Sequence, residues 1–379
     1  MSETNSYSPG LAGVIAGESA ISCIDVERNK LNMRGYDLVE LTEGGASFEE
    51  VAYLLLHDDL PSLGQLAAFN DALLIERQLP DAVAHLLRTA PAKAHPMALL
   101  RTAVSALAYS DADSLAGDTS HEANVRKAVR LLAKVPLIIA AGHRLAHGQE
   151  PVEPRDDLNL AANLLYMISG EEPQAYAVEA MNVSLILYSE HGYNASAFAA
   201  RVAASTLADM HAAITAGVAT LGGSLHGGAN EAAMEMMLEI GTPDNARAWI
   251  LDALQSKRKI MGFGHREYKS GDSRVPAMKQ AGLSVSQETG EDRWRLIAEI
   301  AEETMLSEKG IFPNLDLPCA YTYYGLDIPI PLFTPIFVAS RISGWAAHVI
   351  EQQDNNRLIR PNHIYTGPVG RTYKPVGDR

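Results

Sequence analysis

Four glycines surround one histidine, His226, in the stretch from residue 222 to residue 231. Glycine is the residue that allows a sharp turn or a close approach of a ligand to the backbone. Helical patterns cover 196–218 before this stretch and 230–240 after it. We therefore expect His226 on a tight loop ahead of a helix N-terminus, where the helix dipole disfavours an imidazolium. A neutral ring there could donate to a developing oxyanion, although a glycine-rich turn with an incidental histidine explains the pattern equally well.

A second histidine, His265, follows the run Gly262-Phe263-Gly264. A dinucleotide fingerprint would need a third glycine at position 267, where Glu267 stands, and a preceding strand, which is absent. The nearby cations are Lys257, Arg258, Lys259, Arg266, Lys269 and Arg274. A solvated helix face is one interpretation. In a chain of net charge -15, the cluster favours a site for a multiply phosphorylated anion, with His265 facing a second anionic group.

A single carboxylate, Asp316, lies between Pro313 and Pro318 among apolar neighbours. Proline restricts the backbone, and an apolar environment raises the pKa of a carboxyl group, which makes it a stronger base. Taken alone, this segment is more typical of a turn or N-cap aspartate.

An arginine within an apolar helix is the fourth feature. Phe337 and Arg341 are four residues apart on one face of the pattern 333–352, and a buried guanidinium needs a carboxylate partner or an anionic substrate. Arg360 precedes Pro361 at a rigid turn. His191 follows the helical run 174–189, and taken alone it is better explained by a structural role.

The elements around these residues are mostly helical from residue 47 onward, where Ser47 and Glu50 form a capping box. One or two small strands fit 11–36. The charged and polar middle of the chain predicts a small unit, 222–331, inserted into a large helical unit made of 1–221 and 332–379.

The composition excludes several classes of partner. The net charge of -15 argues against a nucleic-acid or anionic-membrane partner, so local arginines must hold any anionic substrate. The two cysteines, Cys23 and Cys319, are typical of a reducing compartment. With no apolar signal core in 1–10, and with prolines interrupting 328–339, we expect a soluble cytoplasmic protein.

No metal site is expected. His143 and His147 have the i, i+4 spacing of metal ligands, but Arg144 stands where a zinc-protease helix would carry an acid. A solvated helix end is the favoured interpretation.

Taken together in this order, four segments resemble the citrate synthase family: 224–231, 261–266, 313–316 and 355–361. The resemblance extends over nearly the whole chain. It implies a mainly α-helical homodimer, with a large domain and a small mobile domain in each subunit. The substrates would be oxaloacetate and an acyl-CoA, and no cofactor is implied because the CoA thioester is itself a substrate.

The resemblance also implies a role for each matching residue. Asp316 would remove a proton from the acyl-CoA α-carbon, His226 would stabilise the enolate, and His265 would polarise the oxaloacetate carbonyl. The implied oxaloacetate ligands are His191, Arg274, Arg341 and, from the other subunit, Arg360, with Phe337 lining the pocket. The implied CoA contacts are Lys257, Arg258, Lys259, Arg266 and Lys269. Glu267 departs from the family pattern, because relatives usually carry an apolar residue there.

The acyl group is left open between acetyl and propionyl. Tyr188 and Leu315 resemble the acyl pocket of the 2-methylcitrate branch. One methylene in an apolar pocket is worth only about 1–3 kcal/mol, so the hypothesis is citrate synthase activity with substantial use of propionyl-CoA. A dedicated 2-methylcitrate synthase is the alternative, and a non-catalytic helical scaffold that binds dicarboxylates is the rival from another class.

Overall fold

The computed structural model describes residues 7–268 and 270–379. A small antiparallel sheet comes first, with strands β1 (Ser22–Asp25), β2 (Lys30–Met33) and β3 (Tyr36–Asp37) in the order β1-β2-β3. Met33 pairs with Ser22 on one side and with Tyr36 on the other. The sequence predicted one or two strands in this region, and the third is a two-residue addition.

Helices and their connecting loops make up the rest of the described chain. Helix accounts for 61% of the structure, which confirms the predicted mainly α fold class. The α-helices are α1 (Leu38–Glu43), α2 (Phe48–His57), α3 (Leu63–Ile75), α4 (Asp81–Thr89), α5 (Pro96–Leu107), α6 (Ala112–Leu115), α7 (His121–Ala146), α8 (Leu160–Ser169), α9 (Ala175–Tyr188), α10 (Ala195–Ser205), α11 (Met210–Leu221), α12 (Ala229–Ile240), α13 (Pro243–Gln255), α14 (Val275–Thr289), α15 (Arg293–Lys309), α16 (Asp316–Gly325) and α17 (Phe333–Asp354).

Local signals set several of these boundaries. The capping box predicted at Ser47 and Glu50 is present at the start of α2, with each residue bonding the other's backbone N–H. The helical run predicted over 196–218 is in fact two helices. Leu207 has a φ of 65°, and the Asp209 side chain accepts from two backbone N–H groups to begin α11. A left-handed residue followed by a strong N-cap ends one helix and starts the next.

Helix α17 forms the centre of the molecule, and it packs against α2, α7, α9, α10 and α11. Close packing depends on two glycines. A Cβ on Gly217 of α11 would lie 3.0 Å from the Trp345 ring, and a Cβ on Gly344 would collide with the backbone oxygen of Ser189 and with Glu190. The end of α9 and the α17 backbone are therefore in direct contact.

No helix among the described residues is long and apolar enough to cross a membrane. The division of the chain at residues 222 and 332 into two units stays a prediction.

Candidate active site

The His265 loop and the segment before Asp316 are joined by backbone hydrogen bonds. Phe263 and Pro313 form an isolated antiparallel bridge, the Gly264 N–H donates to the Phe312 oxygen at 2.9 Å, and the Asn314 N–H donates to the Gly262 oxygen at 3.0 Å. Two of the predicted site segments, about fifty residues apart in sequence, are thus held side by side.

Glycine is required at both turns of the His265 loop. Gly262 and Gly264 have φ values of 81° and 78°, which side chains other than glycine rarely adopt. A Cβ on Gly262 would also lie 2.8 Å from the Leu317 Cβ. The sequence-based expectation of a glycine-set histidine is confirmed for this loop.

The backbone determines which nitrogen of His265 carries the proton. The Glu267 N–H donates to His265 Nδ1 at 3.1 Å, and the Tyr268 N–H lies 3.4 Å from the same atom. A backbone N–H can only donate, so Nδ1 accepts and the proton of a neutral ring resides on Nε2. Nε2–H is therefore the donor of a neutral His265 ring.

Asp316 is the first residue of α16, and a phenol holds its carboxylate. Tyr188 Oη donates to Asp316 Oδ1 at 2.8 Å, and the Asp316 N–H donates to Asn314 Oδ1 at 3.1 Å. Burial raises the Asp316 pKa from 3.8 to about 6, and the hydrogen bond from Tyr188 opposes that shift. A carboxyl group with this pKa can act as a general base near neutral pH.

His226 occupies the predicted loop just before α12. Its Nε2 faces Ser196, whose Oγ is 2.7 Å away and whose backbone N–H donates to it at 3.3 Å. This contact makes Nε2 an acceptor and leaves the proton of a neutral ring on Nδ1. Burial and the nearby Arg341 guanidinium lower the His226 pKa to about 4, so the ring is neutral at pH 7 and suited to donate to an oxyanion.

Ser196 is itself fixed by helix α17, because Trp345 Nε1 donates to Ser196 Oγ at 3.2 Å. Trp345 lies one turn beyond Arg341 on α17. The helix that carries the arginine therefore also orients the His226 ring through Ser196.

The predicted i, i+4 pair on α17 is confirmed. The Arg341 guanidinium lies 4.7 Å from the Phe337 ring centroid, and Phe337 stacks on Tyr188 with ring centroids 3.9 Å apart. Arg341 Nε donates to the backbone carbonyl oxygen of Tyr188 at 2.5 Å. Burial lowers the Arg341 pKa to about 10, and the Glu190 carboxylate opposes that shift, so the guanidinium stays charged at neutral pH.

Arg274 directly precedes α14 and is buried, unlike the other cations of its sequence cluster that the structure describes. Its Nε and Nη2 donate to the two carboxylate oxygens of Asp272 at 2.9 and 2.7 Å. Burial lowers the Arg274 pKa, but the carboxylate of Asp272 outweighs that effect, so the net shift is upward. Because the Asp272 carboxylate accepts only from Nε and Nη2, Nη1 of the Arg274 guanidinium can donate to a second anion.

His191 lies next to the His265 loop, in agreement with the place that the family resemblance gives it. Its ring centroid is 4.9 Å from that of His265. Burial, followed by the charges of Arg274, His265 and Arg341, holds the His191 pKa well below 6.5. The two guanidinium groups near the His191 ring therefore disfavour its protonation.

Two buried polar atoms in this cluster have no hydrogen-bond partner among the described residues: His191 Nε2 and Arg341 Nη1. Buried polar atoms are almost always satisfied in folded proteins. These two atoms are suited to hold an anionic ligand. The Asp316 carboxylate could then remove a proton from that ligand or from a second one.

Of the remaining predicted site residues that the structure describes, one is buried and the others are exposed. Leu315 is buried and directly precedes Asp316 in the sequence. Arg360 is exposed, and its one hydrogen bond within the described chain goes to Asn362. The predicted CoA contacts Lys257, Lys259 and Arg266 are exposed.

Arg258 interacts with two neighbouring side chains. It pairs with Glu239 at 2.8 Å and lies over the Trp249 ring at 4.2 Å. The prediction for Lys269 lies outside the described residues. Six cations around one histidine were the expectation, but the structure separates buried Arg274 from the four exposed members it describes.

Sequence reasoning missed Asp272, Ser196 and Glu190. Asp272 could have been found, because an acid two residues before an arginine is a natural ion-pair partner. Ser196 and Glu190 gave no such signal, because their partners His226 and His348 lie 30 and 158 residues away.

A separate cavity of about 580 Å³ lies between α3, α5, α7 and α11, lined by residues such as Glu76, Arg130 and His211. None of the predicted site residues lines it. Within the described ranges, no group of three or more acids, histidines and cysteines is arranged to hold a metal ion.

The helical fold and the joining of a base, two neutral imidazoles and two guanidinium groups define a class: helical enzymes that use acid–base chemistry on anionic substrates. A family model described as the citrate synthase C-terminal domain matches residues 10–362. The chain belongs to the citrate synthase family.

Individual relatives agree with this assignment. Citrate synthase 2 of Bacillus subtilis is 46% identical over 372 residues, which cover 98% of each chain. A 2-methylcitrate synthase of Mycobacterium tuberculosis is 45% identical over 358 residues, 94% of this chain and 90% of that protein. A solved citrate synthase of Thermoplasma acidophilum, in a ternary complex with carboxymethyl coenzyme A and oxaloacetate, superposes with a TM-score of 0.92 at 31% identity, covering 99% of this chain and 100% of that one.

Proposed function

We propose that this protein condenses oxaloacetate with a short-chain acyl-CoA and releases CoA. The observation that carries the proposal is the partly buried Asp316 carboxylate, which has a pKa of about 6 and is affected by the charges of Arg274 and Arg341. The same Arg341 guanidinium affects the His226 ring, so one charged group links the base to an oxyanion donor. The names of the relatives, citrate synthase and 2-methylcitrate synthase, support the same reaction.

In the first step, Asp316 removes a proton from the α-carbon of the acyl thioester. The negative charge that develops on the thioester oxygen accepts a hydrogen bond from His226 Nδ1–H. A neutral donor suits this role, because its pKa of about 4 keeps the ring from holding an extra proton. The carboxylate supplies the base and the imidazole supplies the oxyanion donor.

In the second step, the enolate carbon attacks the oxaloacetate carbonyl carbon. His265 Nε2–H donates to the carbonyl oxygen, which becomes the alkoxide of the new alcohol. The two substrate carboxylates are held by Arg274, Arg341 and His191, which offer the unpaired Arg341 Nη1 and His191 Nε2. Water then cleaves the product thioester and frees CoA.

Several parts of the proposal extend beyond this cluster. The cations that hold the CoA phosphates are Lys257, Arg258, Lys259, Arg266 and Lys269, with Glu267 weakening that contact. The protein acts as a homodimer in which Arg360 reaches the partner's oxaloacetate site. The segment 222–331 closes on the larger unit to exclude water. No cofactor enters the reaction as written.

The proposal extends to the acyl group. Tyr188 and Leu315 line the space beside Asp316, and we infer that it admits both acetyl and propionyl chains. One methylene contributes about 1–3 kcal/mol, so a kcat/KM ratio between the two thioesters of up to about 200-fold is compatible with dual use.

A thiol-release assay with acetyl-CoA and propionyl-CoA, each with oxaloacetate, tests the proposal. We expect CoA release that depends on oxaloacetate with both thioesters. A ratio far beyond 200-fold in favour of propionyl-CoA would support a dedicated 2-methylcitrate synthase. Oxaloacetate binding without any CoA release would support the dicarboxylate-binding scaffold instead.

A further inference from the structure

A chain of hydrogen-bonded side chains lies next to the proposed oxaloacetate ligands. It consists of three buried residues, Glu190, His348 and Arg201, and the partly exposed Glu351, none of which takes part in the mechanism above. Glu190 is fully buried beside His191. One of its oxygens accepts from His348 Nε2 at 3.0 Å and from Ser22 Oγ at 2.9 Å.

The protonated nitrogen of His348 is fixed by its neighbours. Arg201 Nη1 lies 2.9 Å from His348 Nδ1, and a guanidinium can only donate, so Nδ1 accepts and Nε2–H donates to Glu190. Arg201 is paired in turn with Glu351 at 2.6 Å. His348 is fully buried, and its ring links the guanidinium of Arg201 to the carboxylate of Glu190.

Glu190 is placed where it affects both oxaloacetate ligands. It precedes His191 in sequence, and its carboxylate accepts from the Gly192 N–H, which closes the turn that carries His191. Its second oxygen faces Gly344, one helical turn beyond Arg341. The Glu190 carboxylate is thus a negative charge close to the Arg341 guanidinium, although no ion pair within 4.0 Å joins them among the described residues.

We propose that Glu190, held in place by His348 and Arg201, is the positioning group for the dicarboxylate ligands His191 and Arg341. Glu190 fixes the turn that presents His191 and balances the charge of Arg341, while His348 orients Glu190. The inference rests on the proposed function. It assigns these residues to the binding of oxaloacetate and not to proton removal from the acyl-CoA, which takes place at Asp316.

The test uses two substitutions of His348 in the full-length protein. His348→Leu removes both hydrogen bonds, whereas His348→Gln retains an N–H that can donate to Glu190 and an oxygen that can accept from Arg201. We expect His348→Leu to raise KM for oxaloacetate by about tenfold or more, since hydrogen bonds to charged groups are the strong class. KM for the acyl-CoA should stay within about twofold, and His348→Gln should restore most of the loss.

A matched control is His211→Leu. His211 is also buried and hydrogen-bonded, to Ser114, but it lines the separate cavity. The substitution His211→Leu should lower Tm without changing KM for oxaloacetate. If His348→Leu fails to fold, Ser22→Ala removes a milder donor to Glu190 and should raise the same KM by about two- to fivefold.

The possible failures are distinguishable. Absence of CoA release by the wild-type protein would refute the proposed function. Wild-type turnover combined with an unchanged oxaloacetate KM in His348→Leu, or in Ser22→Ala if the former does not fold, would refute the positioning role alone. Equal rises in both KM values without rescue by His348→Gln would also refute it, because a general loss of structure would explain them.

Discussion

The phenol of Tyr188 sets the basicity of the proposed catalytic base, and Tyr188→Phe tests this directly. The substitution removes the 2.8 Å hydrogen bond to Asp316 Oδ1 and leaves the ring that stacks on Phe337 at 3.9 Å. Because the hydrogen bond stabilises the carboxylate form, its loss must raise the Asp316 pKa above its present value of about 6.

The size of the shift follows from the strength of that bond. Hydrogen bonds to charged groups contribute about 1.5–3 kcal/mol, and about 1.4 kcal/mol corresponds to one pKa unit. The acid limb of the kcat/KM profile should therefore move upward by roughly 1–2 units. At pH 7 the fraction of Asp316 in the basic form would fall from about nine tenths to between about one half and one tenth, and activity should recover as the pH is raised.

The assay is the pH dependence of kcat/KM for the acyl-CoA at saturating oxaloacetate, from about pH 5 to pH 9.5. Tyr323→Phe is the matched control, because Tyr323 is buried on α16 and its phenol bonds Ser184 at 2.5 Å rather than Asp316. An acid limb that stays in place in Tyr188→Phe, or that moves equally in Tyr323→Phe, would refute the reasoning.

Two further substitutions probe the anion site and the packing that supports it. Arg341→Lys replaces a planar fork of donors by a single ammonium group. One ammonium cannot occupy the position of Arg341 Nε, which donates to the Tyr188 backbone oxygen at 2.5 Å, and at the same time the position of Nη1, so KM for oxaloacetate should rise by about tenfold or more. A KM within twofold of wild type would exclude Arg341 as a ligand. Gly344→Ala would place a Cβ against Glu190 and the Ser189 oxygen and should destabilise the fold by about 1–3 kcal/mol, measured by denaturant unfolding. An unchanged midpoint would show that the two backbones are not in the close contact described.

Local sequence signals were sufficient for some of the site. The turns at His226 and His265 were predictable because the required glycines are adjacent in sequence, and Gly262 and Gly264 do adopt left-handed backbone conformations. The Phe337–Arg341 pair followed from helical spacing. In these cases the residues that determine the local conformation lie in the same short segment as the site residue that they position.

Contacts between distant segments were not predictable in this way. Tyr188 was expected in the acyl pocket, but its hydrogen bond to Asp316 joins residues 128 positions apart. His191 was assigned a structural role from its own segment, because the cations that surround it come from α14 and α17. The break between α10 and α11 was missed because a left-handed Leu207 has no signature in composition.

The central claim is that Asp316 is the base that starts the condensation, and Asp316→Ala tests it most directly. CoA release from acetyl-CoA and propionyl-CoA is measured in parallel with oxaloacetate binding by calorimetry. The account predicts a loss of turnover of at least about a hundredfold, with oxaloacetate binding still measurable because His191, Arg274 and Arg341 remain. Turnover near the wild-type rate in Asp316→Ala would contradict it.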